Sequence, residues 1–507
     1  MAELHIVRNL IDKLNENEIL YCHWKSNQHV GDAFTGIDDI DMLIAQEDIL
    51  KLNIVLNELG YKRFRLPEKR AYVGIEDYLG FDKETGKFVH LHLHYQLTLG
   101  EKFLKGYQLP YSNSILKRRI FDKENQIYTT SYEDEMWLLL LRVALKLRHR
   151  DFIKLLIDKD IFGSSTHREF KWLKDRLNIE QFNQIVESIL GSEVSHQMIR
   201  IVDSGLSFNL VQKLSVDLRH ATAPFKSFTK IGGTLTRWSR EYFRVCQVFH
   251  NRIYKGLKSY RRTPISGGKT IAFLGPDGAG KSTVIKEVNK RLGKVIDVNH
   301  FYLGSGDGQS SWMRKPLKLI YSVLLRKGTL DRKSKKVDSS GKTHREGENK
   351  FAKIIRSLGQ LPWTYSLARE RKKKLIKARR FRSKGYIVIT DRYPQTQVKD
   401  MCDGPRYYLN HSVSKETLLN RVLAKIEEKS FKIAELVKPD LVVILKVSSE
   451  VAYKRKPDEI DIESHKNLMN TILEIEFGKD SKRIIVDADQ ELEVVINQTL
   501  SAIWECM

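Results

Sequence analysis

The segment Gly275-Pro-Asp-Gly-Ala-Gly-Lys-Ser-Thr283 constrains this chain more than any other, because the pattern G-x-x-x-x-G-K-[ST] works in only one setting. It stands between an apolar run at 270–274 and a helix-patterned run at 284–292. A strand that turns into a helix through such a loop belongs at the carboxyl edge of a parallel sheet. Gly278 and Gly280 let main-chain N–H groups close around phosphate oxygens, with Gly275 and Ala279 in the same ring. The following helix N-terminus, entered through Thr283, adds partial positive charge. Lys281 is placed to reach the β and γ phosphates, and the Ser282 hydroxyl to ligate Mg²⁺, so the expected ligand is ATP with Mg²⁺.

The rest of the second half agrees with that setting. Strands are predicted at 270–274, 294–303, 386–390, 441–447 and 483–486, each mostly apolar and separated by helix-length segments. Near-continuous apolar strands between helices predict a five-stranded parallel sheet covered on both faces, an α/β fold. The segment 327–349, rich in Lys, Ser, Gly and Asp, has no clear period and reads as a mobile insertion.

A chain of 507 residues leaves room for about three domains. With 41% hydrophobic and 30% charged residues it is neither disordered nor collagen-like. The formal net charge is +24, and residues 311–390 alone hold 24 basic against 5 acidic side chains. Such concentration points to polyanionic partners: nucleotide phosphates, nucleic acid or an anionic membrane surface. A nucleic-acid groove is disfavoured, since the aromatics needed for base stacking are sparse around the basic run at 369–382, with Trp363, Tyr365 and Phe381 alone nearby. Cys22, Cys246, Cys402 and Cys506 are far apart, which fits a reducing cytoplasm, and no signal peptide or spanning helix is expected.

Residues 1–125 alternate strand-like and helix-like stretches, and 126–215 show helical periodicity, with Ser131 as a candidate cap. Residues 216–267 form a basic connector ending in Thr263-Pro-Ile-Ser-Gly-Gly, and 268–507 make up the domain around the loop. Within the connector Trp238, Tyr242, Val245, Phe249, Ile253 and Leu257 share a helix face, with Arg240, Arg244, Arg252 and Lys255 on others. The expectation is that this aromatic stripe packs onto a neighbouring domain; contact with an anionic membrane is the alternative, which would make the protein membrane-peripheral.

Asp391-Arg392-Tyr393 follows directly on the strand at 386–390, so its carboxylate emerges at the ligand-binding edge. Together with the loop and the run Lys438-Pro-Asp-Leu-Val-Val-Ile-Leu, these residues make 268–507 resemble thymidylate kinase and its relatives. The resemblance implies that Asp277 contacts an acceptor sugar hydroxyl and that Arg392 binds near an acceptor phosphate. It further implies that Asp391 supports Mg²⁺ or orients Arg392. Because Gly278 and Ala279 stand where some relatives carry an arginine, the catalytic cation is expected from Lys454, Arg455 or Lys456, with Arg455 preferred. Arg369 or Arg371 would contact the acceptor phosphate, although Glu370 holds the best register. The family's motif after the second strand is replaced by Tyr302-Leu-Gly-Ser-Gly-Asp-Gly308, and Pro394-Gln-Thr-Gln replaces its base-holding helix, so the base pocket does not carry over.

Near the N-terminus, 36–44 reads as a strand in which Asp39 and Asp41 share one face and Asp38 takes the other. Preceded by Trp24-Lys-Ser-Asn27, it resembles the nucleotidyltransferase superfamily, which implies a metal site at Asp39 and Asp41. Where that superfamily often has a third carboxylate on a later strand, the strand at 88–95 presents His90, His92 and His94. Histidine is a poorer Mg²⁺ ligand than carboxylate.

The expected chain is a fusion: a nucleotidyltransferase-like α+β domain with a helical annex, a basic connector, and a P-loop kinase domain. Its expected reaction is Mg-ATP-dependent phosphoryl transfer to a small phosphorylated or hydroxyl acceptor, with a nucleoside monophosphate first. The alternatives are nucleotidyl transfer plus phosphorylation of a sugar or lipid-linked glycan precursor, and a nucleotide-binding regulatory or nucleic-acid-associated protein. A homodimer is compatible with either enzyme reading.

Overall fold

Period-two patterning around His90, His92 and His94 sets the centre of the first of two units into which the chain divides, Met1–Ile265 and Ser266–Met507. The computed structural model describes residues 3–148, 161–253, 261–304, 350–399, 401–407, 418–457 and 461–507. The segment 327–349, expected as an insertion, lies outside the described residues.

In the first unit the central strands are β1 (Tyr21–His23), β2 (Ile40–Ile44), β3 (Lys62–Arg65), β4 (Ile75–Asp82) and β5 (Lys87–His94). β6 (Leu97–Leu99) and β7 (Tyr107–Leu109) form a separate ribbon. Adding β8 (Ile120–Asp122), β9 (Ile127–Thr129) and β10 (Thr263–Pro264) completes an eight-stranded sheet in the order β10-β3-β4-β5-β2-β1-β9-β8. β2 runs parallel to β5, and β4 runs antiparallel to it. Register then places Asp41 and Asp77 on opposite sides of His92.

The strand expected over 36–44 starts only at Ile40. Ile37 and Asp38 donate their N–H groups to Asp32 O in a turn, so Asp38 and Asp39 precede the strand. Residues 127–129, read as helical, are strand β9 instead. The helix Tyr132–Lys146 does begin at the Ser131 cap, whose side chain accepts from the Asp134 N–H.

The connector overturns one expectation. Its helix, Lys230–Ile253, docks through the basic face rather than the aromatic stripe. Arg240 donates to the carbonyls of Ala71, Phe103 and Leu104 and lies over the Tyr72 ring, while Arg237 pairs with Glu101 at 2.7 Å. Trp238, Tyr242 and Val245 are 59%, 72% and 56% exposed. Unpaired backbone carbonyls are strong partners for guanidinium donors, and here they outcompete apolar burial in orienting the helix. The side chains of Phe249, Arg252, Ile253, Lys255 and Leu257 lie outside the described residues.

The second unit is an α/β layer structure. β11 (Lys269–Leu274), β12 (Val298–Tyr302), β13 (Ile387–Asp391), β14 (Leu441–Lys446) and β15 (Lys482–Asp487) form a wholly parallel sheet ordered β12-β13-β11-β14-β15. Residues 294–295, expected to open the second strand, still belong to the helix Lys281–Val295, which buries Val284, Ile285, Val288 and Leu292 against the sheet. With β11 central, the loop after it opens beside the ends of β13 and β14. Among the described residues no helix is long and apolar enough to cross a membrane.

Candidate phosphate-binding and metal-binding sites

Three glycines shape the loop after β11: Gly275, Gly278 and Gly280 have φ of 152°, 83° and 78°, where a side chain would strain the backbone. Gly280 O then accepts from Thr283 N and Val284 N, which starts the helix, and both Ser282 and Thr283 are exposed at its first turn. Lys281 folds back over the loop, its Nζ donating to Gly275 O at 2.8 Å and Pro276 O at 2.7 Å. Burial pushes its ammonium down to about 8, and the nearby Arg392 guanidinium adds to the effect.

The end of β13 supplies the opposing charge. Asp391 is 8% exposed, and its Oδ1 has no hydrogen-bond partner among the described residues. Burial holds its carboxyl above the usual range against the pull of Lys281 and Arg392. Arg392 sits at a left-handed φ of 65° and reaches Asp277 Oδ1 at 3.1 Å and Asp403 Oδ2 at 3.5 Å. Such a backbone conformation is costly for a non-glycine L-residue and is found where surrounding structure holds it. A small open cleft lies beside the loop. Asp277, Arg392 and Asp403 form its polar end, and Leu468, Ile472 and Ile475 an apolar wall.

The candidate cations are separated by the structure. Arg455, exposed like Lys454 and Lys456, lies over the loop, donating to Gly278 O at 3.2 Å and Ala488 O at 2.9 Å. Arg369 is exposed too, and Arg371 is buried over the Phe431 ring. Glu370 pairs with Lys374, which in turn donates to Tyr302 O. Gln395 is a loop organiser, bonded to Val398 and Met401. Asp403 is the cavity residue that sequence reasoning missed; Asp403-Gly-Pro carried only a turn signal.

In the first unit the sheet brings Asp39, Asp41 and the three histidines together. His90 Nδ1 is 2.9 Å from Asp39 Oδ1, and His92 Nδ1 is 3.3 Å from Asp41 Oδ1. His94 Nε2 is 3.5 Å from the same Asp41 oxygen, its ring edge-on to Trp24. Lys25 Nζ lies 2.9 Å from Asp41 Oδ1. A third carboxylate was not foreseen: Asp77 on β4 is 3% exposed, with Oδ1 at 2.8 Å from His90 Nε2 and 3.2 Å from His92 Nε2. Strand 75–82 is buried from Asp77 to Asp82, and with Glu76, Asp77 and Asp82 all on it, nothing in its sequence singles out the acid that faces the histidines. Imidazole and Arg262 contacts hold the Asp77 carboxyl far below the usual range despite burial.

Against known proteins, the chain is 30% identical over 189 residues to the "Uncharacterized ATP-binding protein YghR" of Escherichia coli strain K12. That alignment covers 37% of this chain and 69% of YghR. The chain belongs to the YghR family. YghS of the same strain, also described as an ATP-binding protein, is 28% identical over 200 residues, covering 39% of this chain and 75% of YghS. Among solved structures, deoxyadenosine kinase from M. mycoides with bound dATP matches 46% of this chain and 98% of its own at 16% identity. The TM-score there is 0.23, a likeness that carries no argument. No protein-family model matches. For a YghR-family chain, the chemistry therefore has to be read from the residues themselves.

Proposed function

We propose that the Ser266–Met507 unit binds ATP and transfers its γ-phosphoryl group to a small acceptor held in the cavity beside the loop. The observation that carries this reading is the meeting of Lys281, Asp391 and Arg392 at the carboxyl ends of the adjacent strands β11 and β13. The ATP-binding description of YghR and YghS supports it.

Phosphoryl transfer asks mainly for positioning and charge stabilisation. Main-chain N–H groups from Gly278 through Ser282 and the helix N-terminus would cradle the phosphates, with Lys281 turning from its carbonyls to the β and γ oxygens. The exposed Ser282 hydroxyl and the unpartnered Asp391 Oδ1 are a donor set that fits Mg²⁺. When bound, Mg²⁺ would neutralise charge between the β and γ phosphates. Arg455 is poised over Gly278 to stabilise negative charge on the transferring group. Arg392 and Asp277 would orient the acceptor, the guanidinium on an anionic group and the carboxylate on a hydroxyl. A nucleoside monophosphate would suit this set of groups, with its phosphate at Arg392 and its base toward Leu468 and Ile472.

Lys281→Ala should abolish ADP formation, and undiminished acceptor-dependent turnover in that variant would refute the site. Acceptor-stimulated ATP consumption across a panel of monophosphates and sugars then identifies the acceptor.

A second reading adds nucleotidyl transfer in the first unit, acting with the kinase on a sugar or lipid-linked glycan precursor. The convergence of Asp39, Asp41 and Asp77 favours it. Asp39→Asn with Asp41→Asn should then eliminate pyrophosphate release from nucleoside triphosphates.

A further inference from the structure

Among the described residues, a set of metal-ligand side chains gathers in the first unit, where β2, β5 and β4 stand side by side. Asp39, His90 and His92 each offer one ligand atom, all within 4.8 Å of one another. We propose that these three residues form a mononuclear site for a divalent first-row transition metal, in preference to Mg²⁺. The inference rests on this geometry alone and stands or falls apart from the kinase reading.

The backbone builds the site. Residues two apart on β5 face the same way, and the His90 and His92 ring centroids are 3.9 Å apart. The parallel neighbour β2 aligns Asp41 with His92, so the chain just before it brings Asp39 to His90. Asp77, from the antiparallel neighbour β4, faces the opposite ring edges: its Oδ1 contacts both Nε2 atoms. The two Nδ1 atoms are thereby turned toward the Asp39 and Asp41 side. A carboxylate that accepts from the far nitrogen of a metal-binding histidine fixes its tautomer and ring orientation, and Asp77 is placed for that role twice.

The surrounding charges fit one metal rather than two. Asp41 Oδ1 is already shared by Lys25, His92 and His94, so its charge is largely compensated. Arg262 Nε, 3.0 Å from Asp77 Oδ1, compensates the deepest carboxylate. Arg262 Nη2 also lies 2.9 Å from His90 Nε2, where it donates while the ring proton is on Nδ1. Metal capture at Nδ1 moves that proton to Nε2, which then donates to Asp77 in place of accepting from Arg262. Asp39 is 52% exposed, leaving the remaining coordination positions open to solvent. Two imidazoles and one carboxylate suit Mn²⁺, Fe²⁺, Co²⁺ or Zn²⁺, whereas Mg²⁺ keeps hard oxygen ligands and its waters.

The test uses the full chain without nucleotide, so that the phosphate-binding loop contributes little. Co²⁺ titration should give one equivalent with visible absorption bands of imidazole coordination. Mn²⁺ should bind one equivalent by electron paramagnetic resonance and resist a thousandfold excess of Mg²⁺. Asp39→Asn, at a half-exposed position safe for folding, and His92→Ala should each weaken Mn²⁺ at least tenfold, and Asp77→Asn by roughly 10- to 100-fold. ATP binding by the loop, measured on the same variants, should stay unchanged. No stoichiometric Co²⁺ or Mn²⁺ binding, binding within twofold of the parent in Asp39→Asn/His92→Ala, or equal competition by Mg²⁺ would overturn the proposal.

Discussion

Arg392 Nη2 lies 3.1 Å from Asp277 Oδ1, so a residue after β13 is tied to the loop after β11 across the mouth of the cavity. The pair is partly solvated and contributes little to stability. On the proposed kinase reading, its worth would lie in aiming two groups of opposite charge at one bound acceptor.

Removing that aim should weaken the acceptor more than ATP. Arg392→Ala is expected to lower acceptor kcat/KM by about 10²-fold or more, with ATP affinity nearly unchanged. Arg392→Lys should rescue little, because the guanidinium serves Asp277 and Asp403 at once. Initial-rate kinetics with each substrate varied separately would show the split, and equal losses for both substrates would contradict it.

The Lys281 ammonium, pushed down to about 8, should regain its proton when phosphates surround it. ATP binding is therefore expected to take up roughly three-quarters of a proton at pH 8.5 and almost none at pH 6.5. Calorimetry in buffers of different ionisation enthalpy measures this directly, and Lys281→Ala should remove the pH 8.5 uptake.

Glu135 carries a different pH signature. Its two oxygens accept from the N–H and side-chain amide of Asn27, yet burial pushes the carboxyl up to about 7. A raised acid keeps its proton in the fold after the unfolded chain, near 4.5, has lost it. Stability from this group is thus full below pH 4.5 and declines as pH climbs toward 7, by about 3 kcal/mol. Urea unfolding at pH 5 and pH 7.5 should show the fall in the parent and its near absence in Glu135→Gln.

Helix Lys230–Ile253 makes a prediction opposite to a helical-wheel reading. Arg240→Ala should destabilise the first unit by about 2–4 kcal/mol, since three carbonyls and the Tyr72 ring lose their cation. Trp238→Ser, at a 59% exposed position, should change stability by about 0.5 kcal/mol or less. Thermal unfolding of both variants decides between the two faces.

These cases mark where sequence was legible. The three central parallel strands announced themselves because a strand buried on both faces needs a continuous apolar run, as Ile387–Asp391 and Leu441–Lys446 have, whereas the edge strands Val298–Tyr302 and Lys482–Asp487 are more polar and less buried. The loop was equally plain, since its glycines have a backbone duty that few other residues can perform. Asp77 was not, because one acid among the three on Ile75–Asp82 has no signature until β4 is laid beside β5. The docking face of the connector helix was hidden for a related reason: Arg240 is held by main-chain oxygens of 71, 103 and 104, and carbonyls leave no mark in a sequence.

Lys281 clasped to Gly275 O and Pro276 O means the loop arrives at its ligand already folded. Capture of a triphosphate is then an exchange of partners, with little chain entropy left to lose and two internal contacts to surrender. On the proposed reading, a ligand too short to draw the lysine away would gain only the cradle, and the loop would then tell a nucleotide's full phosphate tail from a shortened one.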